Sequence, residues 1–372
     1  MTERRKTTLW QLLGFACLPV AALWVSVEIV LSICWLPSPQ AGVPPAFAVV
    51  VKPHPYRVYA YKSGRTEKAG DGVYNSVGFR DREFAEQKPP HTIRIICLGG
   101  STTYSLGATS NSVTYPAYLQ RFLRQRYAGA PFDIEVINAG HPVYSSLEPL
   151  ILFQTRVLDF SPDVAILMTG VNDLWEALKY ATFSSDYSHS RHTLGPLRPA
   201  VWEHSRLLSL LLARATSPFN PYRPNPDRNL VHLTHQPWYD TAPSHTLTIP
   251  LREAKCAETV GRNALSFVAV ARGNNVIPVI ATETFGPQYE VFAEALERSN
   301  ETLRTIASSQ SVVLVDVARA MPWNAEQYFD AVHLRDGSET YGRMGKLFAD
   351  ALAKAGVIEQ AARNLNRGAS VH

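Results

Sequence analysis

At 372 residues the chain is long enough for one large domain or two small ones, with ample length to bury a core. Lys and Arg number 36 against 32 Asp and Glu, so nothing indicates the clustered basic surface of a nucleic-acid binder, and no nucleic-acid partner is expected. The four cysteines (Cys17, Cys34, Cys97 and Cys256) are scattered without CxxC spacing, which argues against a disulfide framework or a thiolate metal site.

The first element is apolar. After Met1–Lys6, residues 9–36 carry one formal charge, Glu28, and about 20 such residues cross a hydrocarbon core as a helix. Arg4, Arg5 and Lys6 favour a cytoplasmic N-terminus, residues 1–8, with everything after the span outside. The rival is a cleaved signal peptide, whose apolar region is usually about 7–15 residues; the expectation is an uncleaved anchor with Glu28 near its outer interface or against a partner helix. Residues 37–55 are rich in Pro and small residues and read as an extended tether.

A domain over 56–372 follows. Short β-branched runs predict strands at Ile93–Leu98, Ile134–Asn138, Val164–Met168, Val276–Ala281 and Val312–Val317. Helical patterns fall at about 113–127, 147–160, 251–272, 289–308 and 338–355. Apolar strands alternating with helices predict a three-layer α/β/α fold on a parallel sheet. Residues 180–250, rich in Pro, Ser and His with a short helical run near 206–213, break the alternation; such an insertion is expected to cover substrate at the strand ends.

In an open parallel sheet, ligands bind beyond the carboxyl ends of the strands. Those ends carry Gly99-Gly100-Ser101-Thr102-Thr103, then Asn138-Ala139-Gly140-His141, then Gly170-Val171-Asn172-Asp173, then Thr282-Glu283-Thr284, and beyond the fifth strand Asp330 and His333. A serine hydroxyl needs a base to become a nucleophile, and the histidine base needs a carboxylate to fix its tautomer. Asp330 and His333, three residues apart, can meet within one turn. The N–H groups of Ser101 and Gly140 and the Asn172 amide would supply donors for a developing oxyanion. Asp173 reads as a helix cap or strut, His141 and Glu283 as structural or solvent-facing, and Arg80 as an ion-pair partner. No residue cluster has metal-ligand spacing and no phosphate-binding loop is present, so no cofactor is expected.

Ser101, Gly140, Asn172 and Asp330-x-x-His333, in this order, resemble the four blocks of the SGNH hydrolases, the GDSL esterase/lipase superfamily. "GGSTT", "NAGHPVYS", "GVND" and "DAVH" carry the resemblance, which spans about residues 91–355. Gly100 departs from the family's usual Asp before serine, a variant that resembles membrane-anchored bacterial members, as does "NSVGFRDREF" (Asn75–Phe84). The resemblance implies a flavodoxin-like sheet of about five strands and an ester hydrolase with Ser101, Asp330 and His333 catalytic and Ser101, Gly140 and Asn172 as oxyanion hole. It also implies a bacterial inner-membrane anchor and a periplasmic domain acting on an acyl ester of a lipid or glycan. Transfer of the acyl group to an envelope polysaccharide, with Trp202, Trp238 and Tyr239 stacking on sugars, is the alternative; a non-catalytic envelope scaffold is the third reading.

Overall fold

A computed structural model describes residues 9–33, 51–63, 74–179, 183–187, 205, 207–208 and 249–369. Residues 1–8, most of the tether and most of the 180–250 insertion, including Trp202, Trp238 and Tyr239, lie outside the described residues.

Helix α1 (Leu9–Ile33) contains Pro19, and its segment Ala16–Ile33 is long and apolar enough to cross a membrane, with none of it fully buried. The far end of the expected tether is part of the fold. Val51–Pro53 (β1) pairs antiparallel with Tyr59–Tyr61 (β2), and Val51 is buried among tyrosines.

Five parallel strands form the central sheet: β3 (Thr92–Gly99), β4 (Asp133–Gly140), β5 (Val164–Met168), β6 (Ile277–Ala281) and β7 (Val313–Val315). Their order is β4-β3-β5-β6-β7, the flavodoxin-like arrangement, with the chain reversing direction across the sheet between β3 and β5. Every strand expected from the sequence is present.

Alternate residues of each strand serve opposite faces. Ile96, Leu98, Ile137, Leu167 and Ile280 face α4 (Leu147–Thr155), α5 (Val171–Lys179), α6 (Ile249–Gly273) and α7 (Glu290–Ser309). Ile95, Cys97, Val136, Ile166 and Val279 face α3 (Tyr115–Arg126), α9 (Arg343–Lys354) and α10 (Val357–Ala369). Because both faces are covered, the strands read as continuous apolar runs.

Two expected helices differ in form. The run at 147–160 breaks at Arg156, whose φ of −145° is not helical, into α4 and a 3-10 turn at Val157–Phe160. The last expected helix opens with a π turn at Ser338–Gly342 before α9, held by the Thr340 hydroxyl donating to the carbonyls of Arg335 (2.6 Å) and Gly337 (2.9 Å). Helix α10, unexpected from the pattern, starts after Gly356, whose φ of +69° ends the preceding helix.

Candidate active site

Ser101 opens α2 (Ser101–Tyr104), a single turn that begins where β3 ends, beside the sheet's switch point. The glycines before it are there for close approach. A Cβ at Gly100 would sit 2.6 Å from Asn172 Nδ2, so any side chain there would displace Asn172. As first residue of the turn, Ser101 has an N–H with no acceptor inside the helix.

The turn is strapped to β5's exit by Glu283, which follows β6. The Thr102 hydroxyl donates to one Glu283 oxygen, and the Val171 N–H donates to the other at 2.8 Å. Asn300 in turn holds the Glu283 backbone, accepting from its N–H at 3.2 Å and donating to its carbonyl at 2.9 Å. Burial pushes the Glu283 carboxyl up, against the pull of these hydrogen bonds. Glu283 is thus buried and structural, and not solvent-facing. No sequence signal gives this, because its partners come from two other strand ends.

The histidine arrives on a loop after α8 (Val317–Ala320), closed by a bridge between Tyr328 and Leu334. Asp330 Oδ1 accepts the N–H groups of Val332 and His333, each at 2.7 Å, and Oδ2 lies 2.7 Å from His333 Nδ1. His333 Nε2 lies 2.7 Å from Ser101 Oγ. Burial works against the Asp330 charge, but the hydrogen bonds from His333 and Val332 hold its carboxyl below the usual carboxylate range. An ionised carboxylate only accepts, so Nδ1 carries the proton and Nε2 is left to accept from the Ser101 hydroxyl.

Asn172, in the first turn of α5, donates through Nδ2 to the Tyr144 carbonyl at 2.9 Å. Gly140 ends β4 against the nucleophile's turn, where a Cβ would lie 2.2 Å from the Tyr104 N. Its N–H donates to Asn138 Oδ1 at 3.0 Å. Three residues on, Val143 is half exposed with φ +60°, left-handed backbone that a β-branched residue rarely adopts.

The other polar residues brace this edge. Asp173 is fully buried and accepts from the Ser146 N–H (2.9 Å), the Thr169 hydroxyl (3.0 Å) and the Tyr187 hydroxyl. His141 stacks on Tyr144 (4.6 Å between centroids), and burial with the nearby Arg57 charge lowers it to about 3. Arg80 is not an ion-pair partner: its guanidinium donates to the carbonyls of Ser105 (2.8 Å) and Ala108 (2.5 Å) and covers the Tyr104 ring, fixing the loop after Ser101. Next to it, Asp81 accepts the Asn138 N–H at 2.7 Å, and burial raises its carboxyl to about 6. Among the described residues no group of three or more His, Cys, Asp or Glu could hold a metal ion.

A hydroxyl, an imidazole and a carboxylate in line, with an amide beside them, suit acyl transfer through an attacked carbonyl. No curated protein matches the chain. Among solved structures, the chain is similar to a lipolytic protein of the G-D-S-L family from Desulfitobacterium hafniense, at 14% identity over 70% of this chain and 99% of that one (TM-score 0.42). It is also similar to a lipase/acylhydrolase from Enterococcus faecalis, at 12% identity over 70% and 96% (TM-score 0.40). A third is a catalytic mutant of an acetylxylan esterase from Geobacillus stearothermophilus, at 15% over 73% and 97% (TM-score 0.40). A family model for GDSL-like lipases and acylhydrolases matches residues 97–337, from the strand that leads into Ser101 to just past the loop that carries His333. The chain belongs to the GDSL-like lipase/acylhydrolase family and is a hydrolase of carboxylic esters.

Proposed function

We propose that Ser101, His333 and Asp330 hydrolyse a carboxylic ester through an acyl-Ser101 intermediate, outside the cytoplasm, in a domain held to a bacterial inner membrane by α1. The observation that carries the chemistry is the pair of 2.7 Å contacts joining Ser101 Oγ to His333 Nε2 and His333 Nδ1 to Asp330. The Ser101 proton passes to Nε2 as Oγ bonds to the carbonyl carbon. Asp330 stabilises the imidazolium, and the Ser101 N–H and Asn172 Nδ2 hold the oxyanion. Collapse breaks the bond to the alcohol oxygen, which takes the proton from Nε2. Water then attacks the acyl-enzyme with His333 again as base, releasing the acid and restoring Ser101. The Gly140 N–H, which donates to Asn138 Oδ1 in the free protein, is the third donor of the proposed oxyanion hole.

The apolar span Ala16–Ile33 and the positive residues before it support the anchor and its orientation. The test is to assay the membrane-embedded full chain against esters of graded acyl length, with and without envelope oligosaccharides. The expected product is free acid, lost in Ser101→Ala. Acylated sugar as the main product would replace hydrolysis by transfer, and glycan binding without turnover would replace both by the scaffold reading.

A further inference from the structure

Glu28 is a carboxylate in an apolar helix, and a carboxylate at such a position is costly unless partnered. In α1 it is partnered by the insertion. One Glu28 oxygen accepts hydrogen bonds from the Ser205 hydroxyl and from the Leu207 N–H, the latter at 3.1 Å. Ser205 Oγ in turn accepts the Leu208 N–H at 3.1 Å. Ser205 therefore caps the turn at Leu207–Leu208 while its own hydroxyl donates to Glu28, so the end of one segment is closed by the side of another.

Glu28 lies on the one face of α1 that is partly covered. Between Ala16 and Ile33 only Trp24, Val27, Glu28 and Leu31 are partly covered, while all their neighbours are exposed. Spacings of three, one and three residues place these four on a single helical stripe. The stripe lies in the second half of the helix, Glu28 being five residues, about 7.5 Å of rise, from Ile33. Five leucines occur within Leu207–Leu212 in the sequence, so the segment whose Ser205 and Leu207 bond Glu28 begins an apolar run. The same insertion is tied at its start to the catalytic edge, where the Tyr187 hydroxyl donates to Asp173, next to Asn172.

We infer that the 180–250 insertion docks on the outer end of the anchor helix through Glu28 and Ser205, and so presents the site to esters of bilayer lipids. The inference rests on the anchored ester-hydrolase reading above and names its substrate class. A leader that is cut away would have no use for a contact with the mature domain, and a site serving soluble esters would gain nothing from tying this insertion to the membrane.

The test uses the full chain reconstituted in phosphatidylglycerol/phosphatidylcholine vesicles, assayed with a water-soluble butyrate ester and with a long-chain ester dissolved in the bilayer. Glu28→Leu and Ser205→Ala should each lower turnover of the bilayer ester tenfold or more, leaving the soluble ester within twofold. Glu28→Gln, which keeps an accepting oxygen, should restore most of the loss. In a background with Cys17 and Cys34 replaced by Ser, the pair Glu28→Cys and Ser205→Cys should cross-link on mild oxidation. Unchanged turnover of the bilayer ester in Glu28→Leu, or no cross-link, overturns the docking while leaving the hydrolase reading intact. Turnover of neither ester by the wild type would instead defeat the hydrolase reading, and release of the domain from membranes by cleavage would defeat the anchor and the docking together.

Discussion

The two halves of the site are built in opposite ways. Ser101 is 7% exposed and is held by a sheet end, by Gly100 and Gly140 at van der Waals limits and by the buried Glu283 strap. The Asp330 side chain is 44% exposed, and the arm it shares with His333 is organised by its own backbone. Phe329 N–H donates to the His333 carbonyl at 3.0 Å, and the Trp323 indole donates to the Asp330 carbonyl at 2.9 Å. The arm meets the nucleophile through one bond, His333 Nε2 to Ser101 Oγ. A nucleophile placed by the core should be inseparable from stability; an acid–base pair that pre-organises itself on a loop should not.

The sharpest way to break this comparison is to remove one group from each half. Ser101→Ala should abolish ester turnover, a loss of several orders of magnitude, and Asp330→Asn should lower kcat about 10⁴-fold by releasing the His333 tautomer. Thermal unfolding of Asp330→Asn should move by less than about 2 °C, because the exposed Asp330 side chain contributes little to folding. A large loss of stability there would place the arm in the core. Asn172→Ala should do what Asp330→Asn does not. It should slow kcat about 10²–10³-fold as a lost oxyanion donor and also destabilise by about 1–2 kcal/mol, because the Tyr144 carbonyl loses its partner. Equal melting curves for Asn172→Ala and wild type would contradict the shared role.

Smaller effects sharpen the picture of the buried wall. His141 is lowered from 6.5 to about 3, chiefly by burial. A base with a depressed folded value contributes stability that is present above the unfolded value and is lost as pH falls toward the folded one. His141→Phe should therefore remove about 1.4 kcal/mol per pH unit of acid sensitivity between about pH 6 and 3, read from urea titrations at several pH values. An unchanged slope would mean that the ring charges without unfolding. Smallest is Val143→Gly. Left-handed backbone costs a residue with a Cβ about 1–2 kcal/mol, and glycine's extra unfolded freedom takes back about 0.5–1. Tm should rise by about 2 °C with turnover retained, whereas a fall in Tm would show that the Val143 side chain is packed to advantage.

What was legible in the sequence follows the same division. Strands with both faces buried announce themselves as β-branched runs, and the residues at their carboxyl ends could be read off in order. Asp330 and His333 were legible because their pairing is local, three residues along the chain. Gly140 was legible as a position, whereas the bond from its N–H to the Asn138 side chain two residues earlier was not. The roles that Glu283 and Arg80 take were not legible, for a common reason. Their partners, Thr102 and Val171 for one and the carbonyls of the loop after Ser101 for the other, are close only once the sheet has formed. The hairpin of β1 and β2 is three residues per strand, too short for a periodic signal, and its stability comes from the tyrosines it buries.

The most direct test of the central claim is covalent labelling of the membrane-embedded chain with a fluorophosphonate, followed by peptide mass spectrometry. One adduct per chain, on Ser101, is expected, formed at a rate that falls sharply in His333→Ala and absent in Ser101→Ala. Undiminished labelling of Ser101→Ala, or an adduct on any other serine, would contradict the assignment of Ser101 as the nucleophile.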